Sequence, residues 1–339
     1  MKTSRYIVPL ALAAAVLLLF VLNITEGAVH IPWKGIAAIL SGDEVKPSWR
    51  YIIVECRLSQ AATAALCGAS LAVSGLMLQT AFANPLAGPS VFGINSGASL
   101  GVAIVVLALH GSVAAGLLTV SGFIAIAAGA FLGAMAVIAL LLMCSRIVTG
   151  NVALLIVGIM TGYLASAAIS VLNFFAANQG VTAYVMWGMG TFGGVSLSHL
   201  PVFAVSVSVC IVLSMLLVKP LNALLLGERY AENLGFSVKR TRRTLLLLTG
   251  LQTAVTTAYC GPVAFIGLAV PHITRIALST DDHRRLMPCT VLAGAAVALL
   301  CNLVCALPPG GTVLPLNAVT PLVGAPVIIY IVVKQGRTV

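Results

Sequence analysis

Apolar runs recur along the whole chain, separated by short polar breaks, and most are about 17–25 residues long, enough for a helix to cross ~30 Å of hydrocarbon. Marked off by charges and by glycine and proline, ten runs fall at residues 7–23, 59–80, 91–110, 115–143, 152–174, 200–218, 243–259, 262–278, 286–306 and 316–333. The pattern predicts an all-α polytopic membrane protein with ten transmembrane helices and one transmembrane domain over residues 1–339. The first run follows Lys2 and Arg5 as a signal peptide would, but residues 23–27 contain no A-x-A-like cleavage site, so it is read as an uncleaved first span. Between runs seven and eight the break is only Gly261–Pro262. Without that turn, Lys334 and Arg337 would end on the opposite side from most of the basic residues.

The longest interruption on the side read below as cytoplasmic is residues 219–243, KPLNALLLGERYAENLGFSVKRTRR. Residues 221–226 predict a short helix, Gly227 a break, and residues 228–234 a second helix with Gly235 as its C-cap. Two short surface helices would make a handle for a partner. A solvated basic loop that only sets topology is the alternative.

Composition supports the membrane reading. Hydrophobic residues make up 60% of the chain and charged residues 8%, against roughly 25% charged in a soluble domain. With the N-terminus inside and ten spans, both termini are cytoplasmic. Fourteen of the 18 basic residues then fall inside, and only Lys34, Lys46, Arg50 and Arg57 outside. The eight acids divide evenly, so the outer surface sums to zero and the whole net charge of +10 lies inside. Orientation accounts for the basicity, and no nucleic-acid partner is called for.

Outside, residues 25–58 and 176–199 carry Trp33, Trp49, Tyr51, Tyr184 and Trp187, aromatics suited to the interface, the second stretch as an interfacial helix and a glycine-rich turn. Gly93, Gly97 and Gly101 in run three, with Gly129 and Gly133 in run four, have the spacing that lets helix backbones approach closely. No Asp, Glu, Lys or Arg need lie mid-span, which argues against an ion-coupled transporter. His272, near the inner surface, is read as a helix-end packing or capping residue rather than a proton relay. Gln79, Asn95, Ser96, Asn173, Gln252, Asn302 and Asn317 are neutral polar groups that either bond between helices or face a path. The eight cysteines are scattered, and Cys301 and Cys305, though on one helix face, lack partners for a metal site. There is no G-x-x-x-x-G-K-[ST] phosphate loop, no H-E-x-x-H and no carboxylate pair in a span, so no catalytic residue is assigned, and any ATP hydrolysis belongs to another chain.

Four stretches in order across nearly the whole chain carry a family likeness: RLSQAATAALCGASLAVSGLMLQTAFANPLAGPSVFGINSGASLG (57–101), the island at 225–235, GPVAFIGLAVPHITRIALSTDDHRR (261–285) and LPLNAVTPLVGAP (314–326). Together they resemble the permease subunits of bacterial ATP-binding-cassette importers for ferric siderophores, haem and cobalamin. The resemblance implies ten spans, an inverted repeat relating spans two to five with seven to ten, and a path between two permease subunits, here expected as a homodimer in the inner membrane. It implies two separate ATPase subunits holding ATP and Mg, an outer solute-binding protein, and no cofactor on this chain. A ferric siderophore or haem is the expected cargo, with cobalamin the alternative.

By the same resemblance, residues 224–234 are the coupling helices, with Leu224, Leu225, Gly227, Glu228, Arg229, Ala231, Leu234 and Gly235 as contacts. Thr149, Gly150, Asn151 and Val152 are the cytoplasmic gate, and Met160, Tyr163 and Ser166 line the path. Arg57 is an outer arginine for the binding protein. Where many relatives have R-L-P-R, this chain has Arg57-Leu58-Ser59-Gln60, and Arg50 is the substitute for the missing second base.

Overall fold

The computed structural model describes residues 4–27, 29–43, 45–108, 120–148, 151–308 and 312–336, and every regular element among them is helical. In chain order these are α1 (Ser4–Thr25), α2 (Trp33–Ser41), α3 (Pro47–Tyr51), α4 (Ser59–Ala81), α5 (Ile94–Ala103), α6 (Val120–Ile147), α7 (Asn151–Phe175) and α8 (Asn178–Gly188). They continue with α9 (Leu200–Met215), α10 (Val218–Leu225), α11 (Glu228–Asn233), α12 (Val238–Cys260), α13 (Ile266–Leu278), α14 (His283–Ala306) and α15 (Leu316–Gly336).

Among the described residues, each of the ten apolar runs contains a helix of its own, but the helices differ in length. Five stretches are long and apolar enough to cross a bilayer alone: Ile7–Thr25, Pro47–Ala81, Gly122–Ile147, Val152–Phe175 and His283–Ala306. A sixth is α9 with α10, if their 50° bend is taken within one span. The second run starts earlier than its charges suggested, because π-helical Ile52–Leu58 joins α3 to α4 without a break. The eighth is shorter than expected. At 13 residues, α13 rises only about 20 Å, and the non-helical residues 261–265 supply the remainder.

The shortening has a local cause in the backbone. Gly261 (φ 74°) and Phe265 (φ 66°) leave the helical region on either side of Pro262, so hydrophobic residues follow one another without forming a helix. The corresponding break before α5 ends at Gly93 (φ 73°). Upstream, Ala83 (φ 46°) terminates α4, and the Asn84 side chain accepts from the Leu86 N–H at 2.9 Å.

α4 lies at the centre, buried along nearly its whole length against α12, α13 and α14. Lipid offers helices no hydrophobic drive to associate, so this packing depends on close backbone approach. Gly68 meets Gly294 of α14, and Gly75 meets Gly267 of α13. The expected glycine seam between α5 and α6 is also present, with Gly97 against Gly133 and Gly101 against Gly129.

The packing pairs repeat under exchange of the two halves. α4 with α14 corresponds to α12 with α6, α5 with α7 to α13 with α15, and α6 with α7 to α14 with α15. α5 and α13, each preceded by a non-helical stretch, are counterparts in this repeat.

Most of the neutral polar groups bond between helices. Gln252 of α12 receives the Ser74 hydroxyl and donates to Ser214 at 2.8 Å; Asn302 of α14 donates to Asn23 of α1 at 2.7 Å and accepts from Gln60. Asn317, at the start of α15, donates to the carbonyls of Gly188 (3.0 Å) and Pro262 (2.5 Å) and accepts from the Ala264 N–H (3.3 Å), fastening the 261–265 break to the end of α8. Asn317→Ala leaves these groups unpaired. It is expected to cost roughly 1–3 kcal/mol, seen as a lower thermal midpoint in detergent, with no compensating apolar burial.

Candidate functional site

The island at 219–243 folds as a pair of short helices. Gly227 (φ 104°) separates α10 from α11, and Gly235 (φ 85°) ends α11. The Gly235 N–H donates to the Glu232 carbonyl (2.9 Å) and the Phe236 N–H to that of Ala231 (3.0 Å), the two bonds of a Schellman cap. Ala223, Ala231 and Val238 are buried beneath the pair, with Leu224 and Phe236 packed against them. Leu225, Leu226, Tyr230 and Leu234 point outward, each between 43% and 64% exposed.

This geometry sorts the predicted contacts. Leu225, Gly227, Glu228, Arg229, Leu234 and Gly235 are on the surface. Ala231 is fully buried and Leu224 partly so, which corrects their reading as direct contacts: they hold the pair together from below. Leu226 and Tyr230 escaped notice, although the four-residue spacing of Leu226, Tyr230 and Leu234 was the available signal.

Polar tethers bind the pair to the bundle. Arg242 of α12 pairs with Glu228 of α11 (2.5 Å) and donates to the Ala81 carbonyl at the end of α4 (3.2 Å). Asn222 of α10 donates to Asp282 (2.7 Å), and its oxygen receives the His283 backbone N–H (2.8 Å) and contacts His283 Nδ1 (2.9 Å). His283 Nε2 reaches the Thr80 hydroxyl at 2.9 Å. Asp282 caps α14 by accepting the Arg284 N–H. Partial burial alone would raise its pKa, but the bonds from Arg284 and Asn222 and the charges of Arg284 and Arg285 outweigh this and hold it below the ordinary carboxylate value.

The other predicted positions are spread over the bundle. Thr149 and Gly150 lie outside the described residues; Asn151 opens α7 and Val152 is exposed. Met160, Tyr163 and Ser166 are exposed on α7, and Leu322, Ile329 and Tyr330 on its counterpart α15. Among the described residues, both helices carry these exposed side chains on one face.

At the opposite end of the bundle, Arg57 departs from its expected exposure. It is 6% exposed, and its guanidinium donates to the carbonyls of Ile24 (3.0 Å), Thr25 (2.8 Å) and Val29. It ties the chain after α1 to the start of the α4 helix, whereas Arg50 on α3 is exposed. His272, in the middle of α13 rather than at a helix end, places Nε2 2.8 Å from the Pro85 carbonyl in the 82–93 break. Among the described residues no three His, Cys, Asp or Glu side chains gather as a metal site.

Among the described residues, apolar helices packed as two matching halves, each with a short helix after a non-helical break, and a tethered pair of surface helices make the architecture of a multi-pass membrane transporter. The FecCD transport family model matches residues 15–334, and the chain belongs to that family. The vitamin B12 import system permease protein BtuC of Escherichia coli O127:H6 is 34% identical over 332 residues, covering 97% of this chain and 95% of the relative. That of Shigella sonnei is 35% identical over 303 residues, covering 88% and 89%. An inward-facing ABC transporter assigned to the metal-chelate type superposes with a TM-score of 0.82 at 26% identity, over 96% of this chain and 98% of that one. The chain is thus a transport permease subunit.

Proposed function

We propose that this chain is the membrane permease of an ATP-binding-cassette importer for a large metal chelate. One observation carries the reading in detail: a pair of surface helices with an exposed apolar stripe, tethered to the bundle, on a chain with no phosphate loop of its own. In this reading two ATPase subunits hold ATP and Mg and grip α10 and α11. Two copies of the permease place α7 and α15 around the path. The island face is cytoplasmic, as are both termini, and the gate is at residues 149–152. A solute-binding protein docks on the opposite face, where Arg50 offers an exposed charge. ATP and the docked binding protein each favour one access state, since a ligand shifts an equilibrium only through differential affinity.

A ferric siderophore or haem fits a wide path with few charges. Cobalamin is the second reading, and the names of the relatives favour it. The test is uptake of cyanocobalamin, haem and a ferric siderophore into liposomes containing the permease, its ATPase and its binding protein. ATP-dependent uptake of one solute is expected, lost when Glu228 and Arg229 are replaced together by alanine. Uptake by the chain alone under a proton or sodium gradient would overturn the reading.

A further inference from the structure

Three consecutive residues close α4, and each is bound to a different part of the molecule. Gln79 donates to the Leu268 carbonyl (3.1 Å) and accepts from Arg275 (2.6 Å), both on α13. Thr80 meets His283, which meets Asn222 on α10. The Ala81 carbonyl takes Arg242, which holds Glu228 on α11. Both surface helices therefore end, through separate side-chain chains, on one turn of α4.

The link through His283 has a defined polarity. The Asn222 amide nitrogen is committed to the Asp282 carboxylate, so its oxygen faces His283 as an acceptor, and Nδ1 must carry a hydrogen. His283 is fully buried and has no water to turn to. Sliding α10 past α4 would leave buried donors and acceptors unpaired, so displacement of the surface pair is cheaper if the end of α4 moves with it. Beyond that end lies the non-helical stretch 82–93, whose last residue, Gly93, sits against Gly158 and Gly162 on α7. A mechanical route thus leads from the surface helices to α7 and its exposed side chains.

We infer that the turn Gln79-Thr80-Ala81 is the junction that carries displacement of α10 and α11 into the 82–93 break, with His283, Asn222 and Arg242 as positioning residues. This deepens the importer reading and rests on it. The reporter is Leu86→Cys within the break, where Leu86 is 46% exposed, on a Cys56→Ser background that removes an exposed native thiol. The complex with its ATPase is reconstituted in liposomes, and the rate of maleimide labelling is measured with and without ATP.

The parental complex should change its labelling rate on adding ATP. Thr80→Val, which keeps the side-chain shape and deletes the hydroxyl, and Arg242→Met should each reduce that change, and together reduce it about fivefold, the low end of an allosteric coupling, while ATP hydrolysis stays near parental. Thr80→Ser restores the hydroxyl and should restore the response, which a packing role for the threonine methyl would not predict. A double variant that assembles and keeps the full parental response overturns the junction and leaves the importer reading intact. A parental complex that hydrolyses no ATP and shows no response sinks the importer reading, and the junction with it.

Discussion

Gly75→Val is expected to abolish folded protein. A Cβ at Gly75 would lie 1.6 Å from the carbonyl oxygen of Gly267 and 2.5 Å from its carbon. The obstacle is backbone, so no rotamer change relieves it, and α4 and α13 must separate. Ordinary overpacking costs ~1–3 kcal/mol because side chains yield, and this contact should exceed that range. The separation would also pull Gln79 from Leu268 and Arg275. The measurement is monodisperse yield in detergent followed by thermal unfolding. Gly188→Ala is the control, since a Cβ there meets nothing within 4 Å. Parental yield and midpoint for Gly75→Val would show that the two backbones are not in contact.

The second large effect should fall on assembly. Leu226→Asp places a carboxylate in the middle of the exposed stripe formed with Leu225, Tyr230 and Leu234, where Leu226 itself is 64% exposed. The permease should fold normally, because most of the side chain is already exposed and it belongs to none of the buried clusters. A buried apolar anchor commonly contributes ~2 kcal/mol or more at an interface, and burying an unpaired charge adds to the loss. Association with the ATPase should weaken at least tenfold when the two are copurified at fixed concentration. Undiminished copurification would place the contact elsewhere on this face.

Much of this organisation was legible because glycine and charge punctuate the chain. Gly227 and Gly235 marked the two surface helices, and the structure puts both in left-handed backbone. Among the described residues every apolar run holds a helix, though only five or six are long enough to span alone, since hydrophobic length is a property of one stretch at a time. What the sequence concealed depends on partners far away. The residues that Gly68 and Gly75 meet, Gly294 and Gly267, lie about 200 positions on, and nothing local says so. Arg57 reads as an outer charge until the chain after α1 folds over it with three carbonyls. The turn at Gly261–Pro262 is legible, but residues 263–265 look like part of the eighth span, because hydropathy records side chains and is blind to the backbone at Phe265. Ala231 could not be told from Leu234 as a contact until the cap on α11 fixed which side faced the bundle.

The placement of the charged groups bears on the energy source. Among the described residues, Arg57 lies at one end of the bundle and Arg275, beside Asp281, at the other, while the span centres hold neutral groups. A charge carried across 100 mV exchanges about 2.3 kcal/mol with the membrane potential, so a bundle that carries none through its middle gains almost nothing from that field. In the importer reading, a cycle that moves no charged side chain through the membrane draws its free energy from the ATPase at the surface instead.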